Sequence, residues 1–122
     1  MLLNLSNHPS ANWSQEQIDA TCRQYGSVQD MPFPQIPPTC TTDEVEQLVE
    51  EYIIKVRQLN PMAVHLMGEL TFCFSLVAKL QRVGIPCVAS TTERNTIDKP
   101  DGTKIAVFRF VRFREFVNLA HL

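Results

Sequence analysis

Three short segments carry side chains that could bind a small polar ligand and do chemistry on it. They are Ser6-Asn7-His8-Pro9-Ser10, Gly68-Glu69-Leu70-Thr71 and Ser90-Thr91-Thr92-Glu93-Arg94. Together they offer hydroxyls, amides, one imidazole, two carboxylates and one guanidinium. Such a set suits phosphates, ribose hydroxyls and base edges. His8 is the natural general acid or base among them, because an unperturbed imidazole titrates near neutrality. Arg94 is the best phosphate contact, since a guanidinium forks onto oxyanions. Glu69 would repel a phosphate, so its ligand contact would be to a hydroxyl or an exocyclic amine. Plain structural roles stand beside these. Ser6, Ser10 and Thr71 could satisfy loop or cap backbone groups. Glu69 could serve the dipole of a helix start. His65, inside an apolar run, reads as a core histidine.

The elements that must position these segments follow from periodicity. Leu2 to Leu5 reads as a short buried strand, ended by Ser6-Asn7-His8-Pro9. Ser14-x-x-Gln17 is a capping box, with Trp13 placed to staple onto Ile18. It predicts a helix from Gln15 to Tyr25, stopped by Gly26. Val28 to Phe33 reads as a second strand, and Pro32 to Pro38 as a loop. Thr41-x-x-Glu44 is a second capping box. After it, Val45, Leu48, Val49, Tyr52, Ile53, Val56 and Leu59 form one core-facing helical stripe. Met62 to Met67 is apolar enough for a strand buried on both faces. Leu70 to Val83 has helical length and a wide apolar arc, which suggests packing on more than one side. Ile85 to Ala89 reads as a fourth strand, with Ser90 to Arg94 following at its carboxyl end. Lys99-Pro100-Asp101-Gly102 is a turn, and Lys104 to Phe116 a returning antiparallel strand. Strict alternation there puts Phe108, Phe110, Arg112 and Arg114 on one face, and Arg109, Val111 and Phe113 on the other.

The alternation of strands and helices predicts an α/β fold, a three-layer Rossmann-like sandwich. Its sheet is mostly parallel, with an antiparallel C-terminal strand or hairpin. Right-handed crossovers predict the order 2-1-3-4, the last strand joining at one edge. The chain direction reverses between strands one and three. The three polar segments should converge there, where open α/β sheets bind ligands. Backbone amides at the start of the third helix would point into the same space.

The chain has 122 residues, 44% hydrophobic and 20% charged, with a formal net charge of −2. One domain over residues 1–122 fits that length. The charge argues against a duplex nucleic-acid surface, but a local pocket can still favour an anion. No apolar run is long enough for a transmembrane helix, and the start lacks a signal-peptide pattern. Cys22, Cys40, Cys73 and Cys87 form no CxxC and read as buried free thiols in a cytoplasmic protein. No phosphate-binding P-loop, dinucleotide GxGxxG, nucleophile elbow or metal-ligand spacing occurs, so no cofactor or metal is expected. Acidic residues of the response-regulator kind are also missing from the first and third strand ends.

The opening NLSNHP, the central HLMGELTFCFSLVAKLQRVGI, the ASTTER and the closing FRFVRFREF together carry a resemblance. They resemble the small stand-alone CRISPR-associated proteins found beside type III systems, related to CARF domains and ring nucleases. The resemblance implies a CARF-like homodimer, with the ligand shared across a twofold axis or between stacked dimers. The implied ligand is cyclic tetra-adenylate, the second messenger of type III CRISPR defence. It also implies a binding role for Ser6, Asn7, His8, Gly68, Glu69, Thr71, Ser90, Thr91, Thr92 and Arg94. Some relatives cleave the ring, and others hold it and lower its free level. Cleavage needs no metal in principle, because a ribose 2′-hydroxyl held in line can attack its own phosphate. Two other classes stay open. One is a protein-interaction module using the apolar arc of Leu70 to Val83. The other is a nuclease acting on linear oligonucleotides.

Overall fold

A computed structural model describes residues 1–119. It contains β1 (Leu2–Ser6), α1 (Gln15–Tyr25), β2 (Val28–Asp30) and α2 (Thr42–Leu59). Then come β3 (Ala63–Met67), α3 (Leu70–Arg82), β4 (Cys87–Asp98) and β5 (Lys104–Glu115). The five strands form one sheet in the order β2-β1-β3-β4-β5. All pairings are parallel except β4 with β5. This is the predicted α/β architecture, with helices flanking a mostly parallel sheet and the order reversing beside β1. Among the described residues, no helix is long and apolar enough to cross a membrane.

Two apolar layers sandwich the sheet, and strand parity assigns each residue to one of them. Leu3, Leu5, Val64 and Leu66 face α2 and α3. All seven stripe residues of α2, from Val45 to Leu59, join that cluster. Leu2, Ala63 and Val88 face α1, with Trp13, Phe110 and Phe113. Thr41 closes a full capping box with Glu44 at the start of α2. Asn60, at φ 48°, ends that helix in the left-handed region, which asparagine tolerates. Gly26 ends α1 with a positive φ of 84°, which glycine adopts without strain.

Two expectations need correction. The fourth strand does not end at Ala89, before the polar Ser90–Arg94 segment. That segment lies inside β4, which runs twelve residues and pairs along its length with β5. Threonines 91, 92 and 96 and Ile97 are β-branched, so shape outweighs polarity there. The second correction concerns β5. A bulge opposite Thr91 and Thr92 leaves Val111 unpaired. Everything beyond it switches face, as one extra residue must cause. Phe110 and Phe113 therefore pack together, 5.1 Å apart between ring centres, instead of on opposite faces. Thr91 holds the bulge by bonding the Arg112 backbone through its hydroxyl.

Gly68 follows β3 because nothing larger fits. A Cβ there would lie 2.3 Å from the Phe33 ring, which itself packs edge-on to Phe72. Gly68→Ala should therefore cost about 1–3 kcal/mol by displacing Phe33. A urea titration of the variant checks this, and an unchanged midpoint would contradict it.

Candidate functional site

On its α1 face the sheet changes character along the strands. Near the amino ends it presents Leu2, Ala63 and Val88. Towards the carboxyl ends the same rows continue as Asn4 and Ser6, as His65, and as Ser90 and Thr92. Asn4 and His65 are neighbours across β1 and β3. Ser6, His65, Ser90 and Thr92 of this polar end form the floor of a cleft of about 380 Å³. Its rim is built by Asn7 and His8 after β1, and by Met67 and Gly68 at the end of β3. Trp13 and Gln17 close it from the side of α1.

A buried network fixes the loop after β1. Asn4 Nδ2 donates to the His8 carbonyl at 2.9 Å and to Asp30 Oδ1 at 2.8 Å. Ser6 Oγ donates to Asn4 Oδ1 at 2.7 Å. Trp13 Nε1 donates to the same His8 carbonyl at 3.0 Å. Ser10 anchors the loop's far end through two bonds to Asp30. Burial pushes the Asp30 carboxyl up, but the bonds from Asn4 and Ser10 outweigh it and hold the group below its ordinary range. The His8 backbone is thus held while its side chain stays exposed at the cleft mouth.

The same network sets the state of His65. Both Asn4 amide hydrogens are already used, so Asn4 Oδ1 must accept from His65 Nδ1, 2.9 Å away. Burial, with repulsion from His8, pushes the His65 pKa down to about 4. The ring is therefore neutral near pH 7, with its proton on Nδ1 and a lone pair on Nε2. That Nε2 is buried and has no partner among the described residues. Trp13 and Phe113 pack edge-on against the ring, at 5.2 and 5.7 Å. His65 is a core histidine, as its setting in an apolar strand predicts, and it is also part of the cleft.

Of the residues singled out in the sequence, the cleft gathers Ser6, Asn7, His8, Gly68, Ser90 and Thr92. Ser10 is occupied in bracing the loop, and Thr91 in holding the bulge. Arg94 follows Thr92 on the same face of β4 but lies outside the cleft. Its guanidinium sits 5.9 Å from the centre of the Phe108 ring. Glu69 caps its own helix, accepting from the backbone amides of Thr71 and Phe72 and from the Thr71 hydroxyl. These bonds hold its carboxyl below the ordinary range. The amides expected to cradle a phosphate at the start of α3 are therefore already taken. Glu69→Ala should cost about 1 kcal/mol as a lost cap. Ligand affinity of the cleft should stay unchanged. A drop in affinity at constant fold would instead give Glu69 a direct role.

Sequence reasoning missed Asn4, Asp30, Trp13 and Gln17. Asn4, Ser6 and His65 share one signal: polar residues spaced by two within otherwise apolar strands. Asp30 had no such signal, because only the sheet order brings it beside Asn4. The cysteines correct one expectation. All four are free, yet Cys22 is exposed. Burial raises the pKa of Cys73 to about 11 and of Cys87 to about 12, which leaves both as unreactive thiols.

A family model described as the Uncharacterized protein MJ1673 family matches residues 1–114. The chain belongs to that family. No curated protein and no solved structure matches it.

Proposed function

We propose that this member of the MJ1673 family binds cyclic tetra-adenylate in the cytoplasm and lowers its free level by holding it. The main support is the cleft itself. It sits at the point where the sheet order reverses, and six residues from the ends of β1 and β3 and from within β4 converge there. Among the described residues no lysine, arginine, aspartate or glutamate lines it, so it suits the neutral parts of a nucleotide, base and ribose. Arg94 lies two residues beyond Thr92, about 7 Å further along the strand. That separation suits a phosphate outside the mouth.

A cleft of about 380 Å³ has room for one nucleoside unit, not for a ring of four. The ring would then be shared by two protomers related by a twofold axis. α3 supports such pairing. Leu70 and Phe74 are 82% and 69% exposed, beside an apolar groove that also includes Met67 and Val117. A second copy of the chain is the occupant we assign to it.

Holding is favoured over cleavage by the electrostatics. Ring opening by a 2′-hydroxyl develops charge on a phosphate, and prearranged donors must meet it. Glu69 already occupies the α3 amides, so they cannot meet that charge. His8 alone stands at the mouth as a proton carrier. Incubation of the protein with the ring, followed by chromatography, tests this. Intact ring is expected, and linear products with a 2′,3′-cyclic phosphate would overturn it in favour of cleavage through His8. Arg94→Ala should weaken binding and flatten its salt dependence, since one phosphate contact is lost. Unchanged affinity and salt slope would remove Arg94 from the site.

A further inference from the structure

One side chain in the cleft breaks a local rule. Gln17 is the last residue of the Ser14-x-x-Gln17 capping box. In a complete box the first side chain accepts from the last backbone amide, and the last side chain accepts in return. The Thr41 box of α2 is complete: Glu44 N donates to Thr41 Oγ1, and Thr41 N donates to Glu44 Oε1. At α1 only the first half exists, with Gln17 N donating to Ser14 Oγ at 3.2 Å. The Gln17 side chain lines the cleft instead. It is only 7% exposed, and its amide makes no hydrogen bond among the described residues. The side chain is largely buried but its amide opens into the cleft rather than onto the helix start, so it is free to meet a ligand there.

The chemistry of that amide limits what the ligand presents. It offers a hydrogen donor and an acceptor side by side in one plane. An adenine edge offers the complement, an amine donor next to a ring-nitrogen acceptor. The rest of the cleft agrees with a neutral, flat group. Its described lining holds no lysine, arginine, aspartate or glutamate, Trp13 forms one side, and the floor holds the His65 Nε2 lone pair, which can accept but not donate. We propose that Gln17 reads the base at its N6/N7 edge: Oε1 accepts from the adenine amine, and Nε2 donates to N7. This assignment rests on the adenylate reading above and adds its specificity-determining residue. An oxo group in place of the amine would face Gln17 Oε1 with a second acceptor, and would find no donor on the His65 side.

Calorimetric titration of the full chain with cyclic tetra-adenylate and with the corresponding cyclic tetra-inosinate tests it. The wild-type chain should bind the inosine ring about tenfold to a hundredfold more weakly. Gln17→Ala should bind the adenine ring more weakly by a similar factor and no longer distinguish the two. Equal binding of both rings by the wild-type chain would overturn the role of Gln17 while leaving the adenylate reading in place. So would a preference that survives Gln17→Ala. Binding of neither ring would overturn the adenylate reading itself. If Gln17→Ala does not fold, the N6,N6-dimethylated ring replaces it, because it removes the amine hydrogens from the ligand side. The wild-type chain should bind that ring as weakly as the inosine ring, and full affinity for it would overturn the assignment.

Discussion

Asn4→Ala should destabilise the chain by about 3 kcal/mol. Asn4 is 1% exposed and makes four side-chain hydrogen bonds, to the His8 carbonyl, Asp30, Ser6 and His65. Alanine leaves His65 Nδ1 without its acceptor in the core. It also frees the loop after β1, because the His8 carbonyl and Asp30 both lose the Asn4 donor. Burial then raises the Asp30 pKa with one fewer bond to offset it. Urea unfolding should show the loss as a lower midpoint with a similar slope. Ligand affinity should fall with it, since His8 and Asn7 would no longer be held at the mouth. A loss below about 1 kcal/mol would mean that the network adds little beyond a single ordinary hydrogen bond.

The second large effect concerns pH. In the folded chain the His65 pKa is about 4, and its ordinary value is 6.5. Burial is the main cause, and repulsion from His8 adds to it. Between those two values the unfolded chain binds a proton that the folded chain does not. Stability must then rise with pH across that window. The contribution of neutral His65 is complete above about pH 6.5. It falls away as pH drops towards 4, by about 3 kcal/mol in total. Asp30, Glu46 and Glu69, whose carboxyls lie below their ordinary range, add their own losses only at more acid pH. Unfolding free energies measured at intervals from pH 7.5 to about 4.5 would reveal the slope. His65→Phe should flatten it, because a phenyl ring fills the same aromatic contacts and carries no proton. A wild-type profile flat down to that limit would contradict a neutral, buried His65.

The framework was legible wherever one physical signal acted alone. The α2 stripe names seven positions at helical spacing, and every one packs in the core. The sheet order follows from crossover handedness, which needs no tertiary detail. Errors arose where two signals competed. At Ser90–Arg94, polarity argued that the strand ends at Ala89 and β-branched shape argued that it continues, and pairing with β5 decided for the longer strand. In β5, alternation was read as unbroken, but a bulge is set by the partner strand and leaves no mark in local spacing.

The candidate site shows the same division. Its location was legible, because the ends of strands at a reversal of order collect side chains regardless of their identity. Individual roles were not. Glu69 and Thr71 looked like ligand contacts until the helix start was seen to bind both. Gln17 looked fully explained by its capping box, and only the absent return bond exposes it as a cleft residue. Hydrogen-bond bookkeeping in three dimensions separates such cases, and residue type with spacing does not.

Isothermal titration of the full-length chain with cyclic tetra-adenylate, against linear tetra-adenylate, tests the central claim most directly. Saturable binding of the ring is expected at one ring per two chains, with linear tetra-adenylate bound far more weakly. No heat with the ring, or equal binding of the linear form, would contradict it.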